Sequence, residues 1–79
     1  MAFLVSLSPL SPLQGARPHS ESECTWRISS RDGERVLQLD TYGSPQRKDV
    51  GTISQSIQLD ETRAAELVAI LRSAFPSIS

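Results

Sequence analysis

The chain has 79 residues, with 8 Lys+Arg, 9 Asp+Glu, one His, one Cys and a formal net charge of −1. That length suits one domain rather than two, and a lone Cys24 excludes a disulfide framework and favours a reducing, cytoplasmic setting. Near-neutral charge argues against nucleic-acid binding by bulk attraction, and no run of about 20 apolar residues is present to cross a membrane.

Residues 1–23 differ in character from the rest. Ala2-Phe3-Leu4-Val5 is apolar, and Ser8-Pro9-Leu10-Ser11-Pro12-Leu13 follows. The two Ser-Pro steps oppose helix and favour extended backbone. A secretory signal would place basic residues before an unbroken apolar stretch; here none precedes it and Pro9 interrupts it. The expectation is a flexible or loosely docked N-terminal extension, whose Phe3-Leu4-Val5 can cover open core or join an interface.

Cys24-Thr25-Trp26-Arg27-Ile28-Ser29 alternates apolar and polar residues, as a half-buried strand does. Asp32-Gly33 follows, a two-residue hairpin signal, because a type I′ turn needs φ > 0 at both central positions. Residues 35–42 read as the second strand. With Asp32 and Gly33 as the loop, Arg31 faces Glu34, Ile28 faces Leu37, Trp26 faces Leu39 and Cys24 faces Thr41. Every large apolar residue of the first strand then lies opposite an apolar residue of the second, so turn and pattern agree.

Residues 43–51 have loop composition and include Arg47 and Lys48. Residues 52–59 predict a third strand with Ile53, Ile57 and Leu59 on one face, interrupted by Gln55. Asp60 is placed to cap a helix and Glu61 to favour its positive end. Leu67, Val68, Ile70, Leu71, Ala74 and Phe75 follow helical spacing, and Pro76 stops the helix. The expected fold is α+β: a three-stranded antiparallel meander on one C-terminal helix (β-β-β-α) over residues 24–75, with 76–79 as a tail. Trp26, Ile28, Leu37, Leu39, Ile53, Ile57 and Leu59 are expected to pack on Leu67, Val68, Ile70, Leu71 and Phe75. Such a core is marginal at this size, which points to a homodimer or a larger host complex.

Alternation assigns the other sheet face to Thr25, Arg27 and Ser29, then Val36, Gln38, Asp40 and Tyr42, then Ser54, Ser56 and Gln58. It is expected to face solvent, beside the loop carrying Arg47 and Lys48. Arg27, Gln38, Tyr42, Arg47, Lys48, Ser54, Ser56 and Gln58 therefore form a candidate nucleic-acid surface. Cations suit phosphates, amides and hydroxyls suit base edges, and the Tyr42 ring can stack. Gly43, directly after the aromatic, permits a sharp turn.

Catalytic constellations are weak. His19 lies in the extension, away from any preorganised nucleophile, and Cys24 on the inward face reads as a small core residue. One Cys and one His cannot complete a zinc site. Asp40 and Glu66 belong to opposite sides of the sheet. No Gly-rich phosphate loop is present, Arg63 and Glu66 read as a helix surface pair, and Asp60 and Glu61 occupy the helix N-terminus. No enzyme activity and no cofactor are expected.

The string Leu37-Gln38-Leu39-Asp40-Thr41-Tyr42-Gly43-Ser44, with Arg47, Gly51 and Ser54-Gln55-Ser56-Ile57-Gln58, resembles a pattern in short uncharacterised bacterial proteins. It also resembles terminal segments attached to HNH-type or restriction-associated nucleases. The resemblance covers about residues 26–75 and implies DNA metabolism or phage defence in a bacterial setting. The architecture is similar to half of a PC4-like single-strand-binding domain. Members of that class dimerise and use sheet and basic loop on nucleic acid. The expected function is a non-enzymatic binding module for single-stranded DNA or a DNA-processing complex. The alternative is a protein-interaction or inhibitory accessory subunit of a defence or restriction system, with a nuclease or methyltransferase partner.

Omitting Arg17, Glu21 and Glu23 leaves seven basic and seven acidic residues in the folding unit. Any nucleic-acid binding must then come from the placement of Arg27, Arg47 and Lys48, since the unit as a whole is neutral.

Overall fold

The computed structural model describes residues 1–43 and 52–78. Four strands, β1 (Ala2–Phe3), β2 (Cys24–Arg31), β3 (Glu34–Thr41) and β4 (Gln55–Leu59), precede one helix, α1 (Glu61–Ala74). The strands form one mixed sheet in the order β1-β4-β3-β2. It is thus a small α+β fold with a C-terminal helix, as expected, but with a fourth strand.

The hairpin forms in the expected register, from Arg31 opposite Glu34 through Ile28 opposite Leu37 and Trp26 opposite Leu39 to Cys24 opposite Thr41. Asp32 at φ 51 and Gly33 at φ 80 supply the left-handed backbone that the two-residue turn demands. Gly43 at φ 77 turns the chain out of β3. Strand β4 is antiparallel to β3, with Leu59 opposite Leu37, Ile57 opposite Leu39, Gln58 opposite Gln38 and Ser56 opposite Asp40.

The extra strand comes from the N-terminal extension. Ala2 and Phe3 run parallel to β4, opposite Ile57 and Gln58, and the Leu4 amide donates to the Gln58 carbonyl at 3.0 Å. Two residues are too few to show alternation, so this pairing leaves no pattern in the sequence. Its physical basis is the edge of β4, whose unpaired amides and carbonyls need partners. The chain then reaches the helix: the Val5 carbonyl accepts from the Arg63 guanidinium, and Leu7 and Pro9 lie beside Ala69 and Ile70.

Helix α1 starts as expected. The Asp60 carboxylate accepts from the Arg63 amide at 2.9 Å, Glu61 sits in the first turn, and the Phe75 amide donates to the Leu71 carbonyl before Pro76. Its packing differs from expectation. Only Arg63, Ala64 and Leu67 are half-buried, whereas Val68, Ile70, Leu71 and Phe75 are exposed. The helix covers the sheet with its first two turns, and among the described residues the rest of its apolar stripe meets only the Leu7–Pro9 stretch of the extension, beside Ala69 and Ile70.

The core is correspondingly split. Leu59 (1% exposed) is buried on the helix side, and Val36 (2% exposed) on the opposite side. Val36 shares a shallow depression with Phe3 and Arg31, and the Arg31 guanidinium lies 4.0 Å from the centre of the Phe3 ring. Each sheet face thus carries a miniature core, one under α1 and one under the N-terminal segment. Four core assignments change as a result. Trp26 and Ile28 lie on the predicted face yet are exposed, because the helix does not reach them. Ile53 precedes β4 and lines a depression with Met1 and Phe3 on the polar side. Cys24 is exposed as well.

Phe3 links the extension to the sheet by pairing, stacking and burial. Phe3→Ala is expected to lower the unfolding free energy by about 2 kcal/mol, a half-buried share of a full aromatic truncation. Urea unfolding at fixed protein concentration measures it; an unchanged midpoint would show that the extension contributes nothing to stability.

Candidate nucleic-acid interface

The polar face is built by β2, β3 and β4 in register. Gln38 lies between Arg27 and Gln58, and Asp40 between Thr25 and Ser56. These rows bring four of the predicted residues, Arg27, Gln38, Ser56 and Gln58, around one acid, Asp40.

Asp40 was expected to face solvent and instead is fully buried, at 0% exposure. Gln38 Nε2 donates to both of its oxygens, at 3.1 and 3.2 Å, and the Ser56 hydroxyl hydrogen-bonds to it. The Arg27 Nε lies 3.8 Å away, with the Arg27 side chain 60% exposed. Gln58 Nε2 in turn donates to Gln38 Oε1 at 2.8 Å. The chain of contacts from Gln58 to Gln38 to Asp40 fixes both amides, because each uses its oxygen or its nitrogen on a named partner.

The Ser56 hydrogen bond is the strongest influence on the Asp40 carboxyl and holds its pKa below the ordinary value of 3.8. Gln38 and the Arg27 charge act in the same direction, while burial opposes them. A depressed folded-state pKa contributes stability that is fully present above 3.8 and is lost as pH falls through the folded value. The stability difference between the native chain and Asp40→Asn is therefore expected to stay constant from pH 7 to about pH 5 and to shrink below about pH 4. Urea midpoints against pH measure this; a difference that persists unaltered to about pH 2 would contradict the assignment.

The other predicted residues fall around this network. Tyr42 is half-buried just past β3, its hydroxyl 2.6 Å from that of Thr25, and its amide donates to Ser22 Oγ at 3.3 Å. Ser54 is exposed just before β4, with its amide donating to the Thr41 carbonyl at 2.7 Å. Ser56 is buried (7% exposed) and acts as a support for Asp40. Arg47 and Lys48 lie outside the described residues. Beside the network, Met1, Phe3, Gln38, Asp40, Ile53 and Gln58 line a depression of about 320 Å³.

Two contributors were not singled out in sequence. Asp40 organises the face, and its role depends on the β3–β4 register, which the long connection between those strands conceals. Arg31 shares the face with Arg27 but points toward Phe3, a partner that lies in the extension. Among the described residues no three His, Cys, Asp or Glu side chains converge as metal ligands, and no helix is long and apolar enough to cross a membrane.

No protein-family model, no curated protein and no solved structure matches the chain. The role of the face therefore rests on its own chemistry.

Proposed function

We propose that the chain is a small non-enzymatic binding module that takes single-stranded DNA on its polar sheet face. The observation that carries this reading is the fixed row of Arg27, Gln38 and Gln58 across three strands, with Tyr42 and Ser54 beside it. Orientation of the amides by Asp40 removes rotamer freedom before binding, so less ordering remains to be done by the ligand. Arg27 keeps most of its side chain in solvent and serves a phosphate. Arg47 and Lys48, in the segment that sequence composition marks as a loop, add two further cations. Tyr42 offers a ring for stacking.

Three phosphate contacts predict a shallow salt dependence. The logarithm of affinity is expected to fall with the logarithm of salt at a slope of about −2, or about 20-fold between 50 and 200 mM. Titration of a short oligothymidylate and a duplex at low salt tests the proposal. Single-strand binding at tens of micromolar or tighter, lost in Arg27→Ala, is the expected outcome. No binding of either at that range would overturn it.

The second reading is an accessory subunit that binds a protein of a defence or restriction system. The exposed Trp26 and Ile28 favour it, because they lie on the face opposite the polar network. A stoichiometric nuclease or methyltransferase recovered with the native chain, by contacts that Trp26→Ala removes, would support this reading over DNA binding.

A further inference from the structure

We infer that the free edge of β2 pairs antiparallel with β2 of a second copy of this chain, so that two four-stranded sheets form one of eight strands. The inference stands apart from any DNA-binding role. Among the described residues, strand β2 is the outermost strand, eight residues long, and it pairs with β3 without a bulge. It contains no Pro or Gly. An edge of this kind is a template for another strand unless it is guarded. Its two cations guard it only weakly: Arg31 lies over Phe3, and Arg27, though 60% exposed, has its charge offset by Asp40 at 3.8 Å.

The turn decides which backbone groups remain free. In a two-residue hairpin the flanking residues, here Arg31 and Glu34, form a hydrogen-bonded pair, and such pairs alternate along the ladder. Thr25, Arg27, Ser29 and Arg31 thus bond inward to β3. Cys24, Trp26, Ile28 and Ser30 direct their amides and carbonyls to the open edge. These are also the residues whose side chains lie on the apolar face, where Trp26 is 69% and Ile28 57% exposed.

A standard interface removes roughly 800 Å² per partner, and the exposed Trp26 and Ile28 beside the open edge supply apolar surface for it. A two-fold axis at Arg27 sets Trp26 of one copy opposite Ile28 of the other, twice, and Arg27 opposite Arg27, where each guanidinium lies beside its own Asp40 carboxylate. It also leaves the two helices on the same face, with these side chains filling the trough between them. A strand of period two meets itself correctly under that symmetry, which favours a second copy over an unrelated partner.

Sedimentation equilibrium of the full chain at about 100 µM, combined with amide hydrogen exchange, tests the inference. The expected result is twice the 8.7 kDa chain mass, with the Trp26, Ile28 and Ser30 amides protected like those of β3. Ile28→Lys is expected to weaken the dimer about 100-fold by placing two charges in the trough. A monomer at that concentration overturns the inference. So does a dimer, or a complex with another protein, in which those three amides exchange freely. The exchange measurement uses the unaltered chain, so it decides even where the lysine variant fails to fold.

Discussion

Asp40→Ala is expected to lower the thermal unfolding midpoint by about 10 °C, a large effect for one polar residue in so small a domain. The carboxylate is fully buried, accepts from Gln38 through both oxygens, hydrogen-bonds Ser56 and faces Arg27 at 3.8 Å. Alanine leaves the buried Ser56 hydroxyl without this acceptor and releases the half-buried Gln38 amide, and an unmade buried hydrogen bond costs more than a made one contributes. Asp40→Asn keeps the shape and one acceptor oxygen, so about half of the loss is expected. Differential scanning calorimetry on the three proteins checks the order. Equal midpoints would show that the network is an ornament of the surface rather than part of the fold. The same substitution frees the Gln38 and Gln58 amides, and loss of oligothymidylate affinity is expected to exceed that of a surface control such as Ser30→Ala.

Leu59→Ala is expected to lower the unfolding free energy by about 3 kcal/mol, within the usual range for a fully buried leucine. Leu59 lies opposite Leu37, immediately before the Asp60 cap, and is 1% exposed. Among the described residues it is the one on the helix side of the sheet that is fully buried. The helix touches the sheet only through its first two turns, so few other contacts can compensate. In a domain whose stability is a few kcal/mol, such a loss leaves a substantial unfolded population at 25 °C. Urea unfolding read by far-ultraviolet circular dichroism, at one protein concentration, checks it. A loss below about 1 kcal/mol would mean that the site collapses around the cavity or that the helix docks elsewhere.

The parts of the fold that local chemistry specifies were readable from the chain alone. The Asp32-Gly33 turn and the alternation on either side determine the hairpin register. The Asp60 cap and Pro76 bound the helix. The β1 pairing was hidden, because a two-residue strand carries no period and its partner, the β4 edge, is more than fifty residues away. The helix packing was hidden for a related reason. A stripe of Val68, Leu71 and Phe75 shows that a face is apolar but not what covers it.

The polar face shows the same division. Alternation placed Arg27, Gln38, Asp40, Ser56 and Gln58 on one side, and the structure joins them into a single contact network. What pattern could not show is that Asp40 and Ser56 are inside it, since period two gives the direction of a side chain but not its depth. Depth came from Gln38 and Arg27 folding over the acid, and from Met1 and Phe3 of the extension lying at the edge of the same depression.

Backbone and side-chain resonance mapping during an oligothymidylate titration at low salt tests DNA binding on the polar face. Signals of Arg27, Gln38, Tyr42 and Gln58 are expected to shift together with a common dissociation constant, while the Trp26 indole and the Val68 methyls stay in place. Shifts confined to Trp26, Ile28 and the helix, or no shifts at all, would contradict it.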